Sequence, residues 1–295
     1  MQYKDRQGHL IGGDNEQDRM LKRLYGSSCG RRVLQLLIRP EISKAGGWIL
    51  NRRISRIAIN PFIRANSISL DEYEKQDFKS YNDFFTRKIK AQARPVDMRP
   101  GHLIAPCDSK LTVYPIDEDA VFSIKNTVYT MESLTRSKKL ADKYKGGTLL
   151  LFRLTVDDYH RYCYIDQGEK SRNYPIAGVF HTVNPTAGEY YPVYKENTRV
   201  ISFLKSLNFG TVMMMEVGAL MVGRIVNHHE EKQVHRGEEK GYFEFGGSTV
   251  ILCLKKGRVT MDDDILENSR QGIETRVHYG ERIGRKASQE NERFE

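Results

Sequence analysis

The chain has 295 residues, and 47 Lys and Arg against 38 Asp and Glu leave a formal net charge of +9. This length allows a sizeable hydrophobic core, in one large domain or in a smaller domain with an extension. The positive excess suits an anionic partner such as phospholipid headgroups, although nucleic acid fits the charge equally well. The widely spaced cysteines argue against a disulfide framework and favour a reducing, cytosolic setting: Cys29, Cys107, Cys163 and Cys253.

The N-terminal part of the chain is basic and has helical character. Residues 1–7 are polar and charged, so we expect no secretory signal, and no stretch is long enough to span a bilayer. Between residues 17 and 90, Pro40 and Pro61 divide an aliphatic-rich stretch into short helices. Arginines interleave with the aliphatic residues, as in helices that lie in a membrane interface. The alternative is a helical subdomain whose apolar face packs on the rest of the protein.

From about residue 101 the pattern changes to short apolar strands separated by Gly, Asn and Pro turns. The clearest of these strands are 149–154, 210–217 and 248–254. The sequence therefore predicts an α+β fold, with an N-terminal helical segment over residues 1–100 packed on a β-rich domain over residues 101–295. The last dozen residues are charged, and we expect them to be frayed.

The segment Phe245-Gly246-Gly247-Ser248-Thr249 places a hydroxyl group directly after two glycines, between two β-like runs. Glycine permits positive φ and close approach, so the Oγ atom of Ser248 can be held against the carbonyl carbon of Gly247. That geometry suits self-cleavage by an acyl shift. The same composition is also common in hairpin turns and bulges that contain an ordinary serine.

Six further segments occur in order along the chain together with this one. They are Tyr81-Asn82-Asp83-Phe84-Phe85-Thr86-Arg87, Ala105-Pro106-Cys107-Asp108-Ser109, Asp158-Tyr159-His160-Arg161, Val183-Asn184-Pro185, Glu196-Asn197-Thr198-Arg199-Val200 and Val217-Gly218-Ala219-Leu220-Met221-Val222-Gly223. With these motifs, over about two thirds of its length, the chain resembles the phosphatidylserine decarboxylase family. Members of that family carry a Gly-Ser-Thr cleavage site in this setting.

The resemblance implies autocatalytic serinolysis between Gly247 and Ser248. Ser248 would become a covalent pyruvoyl group at the start of an α chain of residues 248–295, and the β chain would end at Gly247. The pyruvoyl carbonyl forms a Schiff base with the substrate amine and serves as the electron sink that pyridoxal phosphate provides elsewhere. The two fragments would form an αβ heterodimer or a higher oligomer.

The resemblance also implies two partners for Ser248. His160 is the candidate base for cleavage and the candidate acid that reprotonates the substrate carbon, and Asp108 is the candidate third member that orients the imidazole. One position departs from the family pattern Tyr-His-Arg-x-His, because Cys163 occupies the place of the second histidine. If that second histidine normally serves as the base for cleavage, then His160, a Cys163 thiolate or another histidine such as His181 must substitute, or maturation is slow. A buried cysteine is, however, commonly just a small apolar residue.

Other polar residues give weaker signals. His228, His229, Glu230, Glu231 and His235 match no standard zinc spacing, and the sequence predicts no metal site. Lys125 and Arg199 could attract a lipid phosphate, but each by itself is better interpreted as solvated surface charge.

The expected function is decarboxylation of phosphatidylserine to phosphatidylethanolamine and CO2, with no nucleic-acid partner. The resemblance implies a peripheral enzyme at the cytoplasmic face of the cell membrane, bound to an anionic surface. Two other classes stay open: a pyruvoyl decarboxylase of a soluble amino acid, and a non-catalytic lipid-binding relative. A metal-dependent β-barrel enzyme is a more distant alternative.

Overall fold

A computed structural model describes residues 2–12, 25–27, 30, 32, 40–124, 127–179, 181–182, 193–219, 224–246 and 248–288. Within these residues the protein is a mixed α+β structure, rich in strands and with few helices. This part of the predicted fold class is confirmed. Residues 2–12, which the sequence assigned to the helical segment, are strands of a hairpin that joins the main sheet.

The helices are short. The α-helices are α1 (Pro40–Leu50), α2 (Ile59–Ala65), α3 (Tyr81–Phe85), α4 (Met131–Thr135), α5 (Lys138–Ala141), α6 (Val193–Glu196) and α7 (Asp263–Arg270). Three 3-10 helices cover Arg53–Ala58, Ala91–Ala93 and Asp142–Tyr144. The strands are β1 (Gln2–Lys4), β2 (Leu10–Gly12), β3 (His102–Ile104), β4 (Ser109–Pro115), β5 (Val121–Ile124), β6 (Thr127–Thr130), β7 (Thr148–Leu154), β8 (Arg161–Cys163), β9 (Gly168–Lys170), β10 (Tyr174–Ile176), β11 (Arg199–Ser206), β12 (Gly210–Gly218), β13 (Ile225–Asn227), β14 (Lys232–Val234), β15 (Glu239–Phe243), β16 (Ser248–Leu254), β17 (Val259–Met261), β18 (Glu274–Val277) and β19 (Arg282–Lys286).

The described strands form one large sheet and three small ones. The large sheet has the order β14-β9-β11-β12-β16-β7-β4-β18-β1-β2, and β10 also pairs with β11. Its pairs are antiparallel except β1 with β18, which is parallel. Strand β16 lies between β12 and β7 and is buried along its whole length. A strand covered on both faces reads as a continuous apolar run, which explains the sequence Val-Ile-Leu-Cys-Leu after Ser248 and Thr249.

The N-terminal helices pack on this β structure through a separate aromatic cluster. Its buried members are Ile59, Phe78, Tyr81, Phe84 and Phe85. Phe245, which lies three residues before Ser248, packs on this cluster with its ring 5.0 Å from Tyr81 and 5.2 Å from Phe85. Helix α3 therefore connects the helical segment with the segment that contains the predicted cleavage site.

The outer side of α1 and the following 3-10 helix is apolar and basic. The large apolar side chains exposed there include Trp48, Ile49, Ile54 and Ile57, beside exposed Arg52, Arg53 and Arg56. We call these seven residues the basic apolar patch. No helix in the described part of the chain has both the length and the apolar character needed to cross a membrane.

Candidate active site

Ser248 is the first residue of the central strand β16 and is completely buried. It pairs with Gly218 of β12 on one side and with Leu154 of β7 on the other. Because both neighbouring strands hold its backbone, the Oγ atom has a fixed position relative to the residues that precede it. Gly246 has a φ of 133°, a backbone conformation that favours glycine. Gly247, the predicted partner in the scissile bond, lies outside the described residues.

The imidazole of His160 lies directly beside the Ser248 hydroxyl. Its Nδ1 atom is 3.2 Å from Ser248 Oγ, and its Nε2 atom is 2.9 Å from the carbonyl oxygen of Thr155. A carbonyl oxygen only accepts, so Nε2 carries the ring proton and Nδ1 is left as an acceptor. Ser248 therefore donates its hydroxyl proton to Nδ1, which is the contact a general base needs.

The environment of His160 keeps the imidazole neutral. The residue is fully buried, and burial lowers its pKa to about 3. The ring also lies against Phe85, with 4.1 Å between ring centroids. A neutral imidazole with a free electron pair at Nδ1 is thus present across the physiological pH range.

The loop that carries the Thr155 carbonyl is fixed by a buried ion pair. Asp158 accepts hydrogen bonds from the backbone N–H of Thr155 at 2.7 Å and from its hydroxyl at 2.9 Å. Lys110 on strand β4 donates to the same carboxylate at 2.7 and 2.8 Å. These contacts hold the acceptor for Nε2–H in place, so Asp158 and Lys110 act on the imidazole through the backbone of Thr155.

We expect the neutral state of His160 to make the folded chain less stable in acid. The unfolded histidine takes up a proton near its ordinary pKa of 6.5, whereas the folded one does so only near 3. Its contribution to the free energy of unfolding is therefore complete above pH 6.5 and is lost as the pH falls from 6.5 toward 3, by about 1.4 kcal/mol per pH unit.

Urea unfolding of uncleaved Ser248→Ala chains, with and without His160→Gln, measures this contribution. Between pH 6.5 and 5, the chain that keeps His160 should lose about 2 kcal/mol more stability than the His160→Gln chain. Equal losses in the two chains would contradict the buried neutral state.

Asp108 does not take the position that the sequence predicted for it. Its carboxylate receives hydrogen bonds from Arg94 at 2.8 to 3.1 Å and from the backbone N–H of Tyr279 at 2.7 Å. Burial opposes ionisation of this group, but His278 and Arg94 outweigh that effect and lower the pKa of Asp108 below its ordinary value. The expectation that Asp108 orients the imidazole by direct contact is thus corrected. The Thr155 carbonyl occupies that place.

The two other candidate bases are also buried. Burial raises the pKa of Cys163 to about 12, which disfavours the thiolate that this alternative requires. Burial lowers the pKa of His181 to about 4. The backbone N–H of His181 donates to Asn197 Oδ1 at 2.9 Å, and the Asn197 amide donates to the carbonyl of Gly218, the strand partner of Ser248. His181 is therefore connected to the site through Asn197.

The weaker sequence signals have structural explanations where the structure describes them. Arg199 is completely buried, and its guanidinium donates to the backbone carbonyls of Ser133, Leu134, Lys195 and Asn197 at 2.8 to 3.2 Å. It is neither solvated nor free to bind a phosphate. Lys125 lies outside the described residues. In the described ranges, no group of three or more His, Cys, Asp or Glu is arranged to hold a metal ion.

Comparisons with known proteins point to one family. The chain matches the family described as phosphatidylserine decarboxylase over residues 81–285. It is 49% identical to phosphatidylserine decarboxylase proenzyme 2 of Clostridium acetobutylicum, over 90% of this chain and 91% of that protein. It is 42% identical to the phosphatidylserine decarboxylase proenzyme of Clostridium botulinum, over 91% of this chain and 93% of the relative. With the proenzyme of Desulfitobacterium hafniense it shares 40% identity, over 90% and 92% of the two chains.

Proposed function

Because this chain belongs to the phosphatidylserine decarboxylase family, we propose that it cleaves itself between Gly247 and Ser248 and then converts phosphatidylserine to phosphatidylethanolamine and CO2. The observation that carries the proposal is the hydrogen bond between Ser248 Oγ and the neutral imidazole of His160. The names of the similar proteins include the word proenzyme, which agrees with a chain that must be processed.

The contacts of Ser248 support the following cleavage step. His160 Nδ1 takes the hydroxyl proton while Ser248 Oγ attacks the carbonyl carbon of Gly247. The peptide C–N bond breaks as the C–O ester bond forms, and the freed amine takes up a proton. Removal of the Cα proton of residue 248 then breaks its Cβ–O bond by β-elimination and releases the β chain with a carboxylate on Gly247. The residual enamine takes up a proton at Cβ, and its hydrolysis by water gives a pyruvoyl group and ammonia.

The residues around Ser248 fit a pyruvoyl group at that position. Ser248 is enclosed, its backbone is fixed in the centre of a sheet, and the imidazole of His160 lies beside it to accept and return a proton. The pyruvoyl carbonyl supplies an electron sink for decarboxylation. His160, with Nε2–H bound to Thr155, is the proposed group that returns a proton to the substrate carbon. Asp108 remains a proposed member of the site.

The sheet topology supports a stable heterodimer after cleavage. Strand β16 of the proposed α chain lies between β12 and β7 of the β chain, and β18 lies between β4 and β1. The small sheet β17-β19-β3 likewise mixes strands of both fragments. The fragments are thus joined by backbone hydrogen bonds on both sides of the two α-chain strands in the main sheet. We infer that the 1–247 and 248–295 fragments stay together without denaturant.

The basic apolar patch supports a peripheral position on an anionic membrane. Ile54 and Ile57 are 71% and 78% exposed, and the guanidinium of Arg52 lies 4.1 Å above the Trp48 ring. Apolar side chains at this density, beside arginines, suit insertion into the headgroup region with the cations near lipid phosphates. The proposed location is the cytoplasmic face of the cell membrane.

We expect the double substitution Ile54→Glu and Ile57→Glu to weaken binding to liposomes that contain anionic lipid. Removing two apolar side chains from the bilayer interface and adding two like charges should lower the bound fraction by about tenfold or more. Flotation of the purified protein measures this, and the wild-type fraction should fall at high salt. The control is Leu207→Glu, which changes an apolar side chain of similar exposure, 68%, in the turn between β11 and β12. Equal flotation of the double variant and the control would argue against the patch.

The activity itself is tested with phosphatidylserine labelled at the serine carboxyl carbon. The cleaved protein should release labelled CO2 from vesicles of this lipid and should leave free serine unchanged. Release from free serine alone would favour the soluble amino-acid decarboxylase. A fully cleaved protein that releases CO2 from neither substrate would contradict the proposed function.

A further inference from the structure

Arg87 is a buried arginine with incomplete bonding. Only 3% of its surface is exposed, and its Nε atom has no hydrogen-bond partner. The other nitrogens donate to the carbonyl of Phe84 at 3.3 Å, the hydroxyl of Tyr73 at 3.1 Å and the carbonyl of Asp157 at 3.4 Å. The two carbonyl distances exceed the usual upper limit for N–H···O bonds, and the bond to Tyr73 lies near the long end of the usual range. The rings of Tyr73 and Phe84 lie 4.4 and 4.6 Å from the guanidinium carbon.

The other arginines that are buried in the described part of the chain each have either a carboxylate partner or hydrogen bonds from Nε and both terminal nitrogens. Arg153 makes two bonds to Glu274 at 2.5 and 2.8 Å, and Arg236 is 2.8 Å from Asp166. Arg199 uses Nε and both terminal nitrogens on backbone carbonyls. Arg87 alone among them has neither a carboxylate nor a bond at Nε. A buried cation without an anion is unfavourable, so the arrangement points to a missing anionic partner.

Arg87 also lies next to the reactive residues. It lies two residues after Phe85, whose ring contacts His160, and it donates to the loop between Thr155 and His160. The positive charge of Arg87 is close enough to disfavour protonation of His160. In the uncleaved chain the ring of Phe245 packs on Phe85. After cleavage, the segment that contains Phe245 would be the end of the β chain and would no longer be bonded covalently to residue 248. An anionic group of a substrate bound at residue 248 would therefore meet Arg87.

We propose that Arg87 binds the phosphodiester of the phospholipid headgroup, an inference that rests on the proposed function. The planar guanidinium presents donors in pairs that match two phosphate oxygens. The headgroup carboxylate is the other anion within the same substrate. Decarboxylation removes the charge of that carboxylate, so a cation bound to it would be held more tightly in the ground state than in the transition state and would slow the reaction. The phosphodiester keeps its charge throughout.

The test uses cleaved Arg87→Gln and Arg87→Lys proteins, with the cleaved fraction of each determined by mass. For Arg87→Gln the KM for phosphatidylserine should rise about 10- to 100-fold with a smaller change in kcat, because charge-assisted hydrogen bonds are lost from substrate and transition state alike. Arg87→Lys keeps the charge but loses the paired donors, so its KM should lie between the KM of the wild type and that of Arg87→Gln. Tyr73→Phe is the matched control, since it removes the hydroxyl contact of Arg87 and keeps the ring.

Calorimetric binding of short-chain phosphatidylethanolamine identifies the anion without relying on turnover. This product has the phosphodiester and no carboxylate. In each Arg87 variant, its Kd should therefore rise by about the same factor as the KM for phosphatidylserine. A raised KM with an unchanged Kd for phosphatidylethanolamine would assign Arg87 to the carboxylate and overturn the proposal, as would an unchanged KM in both variants. If Arg87→Gln does not cleave, the Arg87→Lys values decide by the same criteria. A wild-type protein that releases no CO2 from phosphatidylserine would refute the proposed function instead, and the Kd comparison would still test Arg87.

Discussion

A chain carrying Ser248→Ala should remain one uncleaved polypeptide of 295 residues and should release no CO2 from phosphatidylserine. The substitution removes the Oγ atom that His160 contacts at 3.2 Å, and alanine offers neither a nucleophile nor a source of the pyruvoyl group. The expected loss is complete for both cleavage and activity. Denaturing electrophoresis over days and a CO2 release assay measure the two effects.

The matched control for this variant is Thr249→Val. Thr249 is the next residue of β16, is equally buried, and has a hydroxyl oxygen without a hydrogen-bond partner. Valine has nearly the same shape, so replacing this hydroxyl costs no hydrogen bond, and successive side chains of a strand point to opposite faces. Thr249→Val should cleave at close to the wild-type rate. Cleavage of Ser248→Ala at the Gly247 bond would refute the proposed nucleophile.

A chain carrying His160→Ala should cleave about 10²- to 10⁴-fold more slowly than the wild type, the usual contribution of a positioned general base. Ser248 would keep its place in β16 but would have no acceptor for its proton, because Nδ1 is the ring atom that faces it. A time course of the fraction cleaved, starting from freshly synthesised chain, measures the effect.

Two control variants test whether Cys163 or His181 serves as the base instead of His160. Cys163→Ala removes a thiol that burial keeps protonated, and His181→Gln removes a histidine whose backbone is bonded to Asn197. Both variants should cleave within about threefold of the wild-type rate, since neither residue touches Ser248 in our account. Asp108→Asn should slow cleavage less than His160→Ala does. If Cys163→Ala or His181→Gln stops cleavage while His160→Ala cleaves normally, the base has been assigned to the wrong residue.

The parts of the site that the sequence predicted are those with a local signature. The two glycines before a hydroxyl residue identified Ser248 as the candidate nucleophile, and the Tyr-His-Arg motif identified His160 as the candidate base. The structure brings these two side chains together. The alternation of apolar runs and turns also predicted the strand-rich composition, because strand periodicity depends on near neighbours in sequence.

The parts that the sequence missed depend on long-range pairing or on backbone atoms. The acceptor for His160 Nε2–H is a carbonyl, which any residue at position 155 would provide, so no residue type signals it. Lys110 meets Asp158 only because β4 pairs with β7, which leads into this loop. Asp108 was assigned by resemblance, and its contact with Arg94 was invisible without the fold. Arg199 looked like surface charge because all its partners are backbone carbonyls, two of them on a distant helix.

The mass of the denatured intact protein tests the central claim most directly. Our account predicts two polypeptides, residues 1–247 with a free carboxyl end and residues 248–295 with a blocked N-terminus. The smaller fragment should be lighter by about 17 Da than the same residues beginning with serine, because a ketone replaces the amine and the hydroxyl of Ser248 is lost, a net loss of ammonia. A single full-length mass that persists on long incubation, or an α fragment that begins with an intact serine, would contradict the pyruvoyl mechanism.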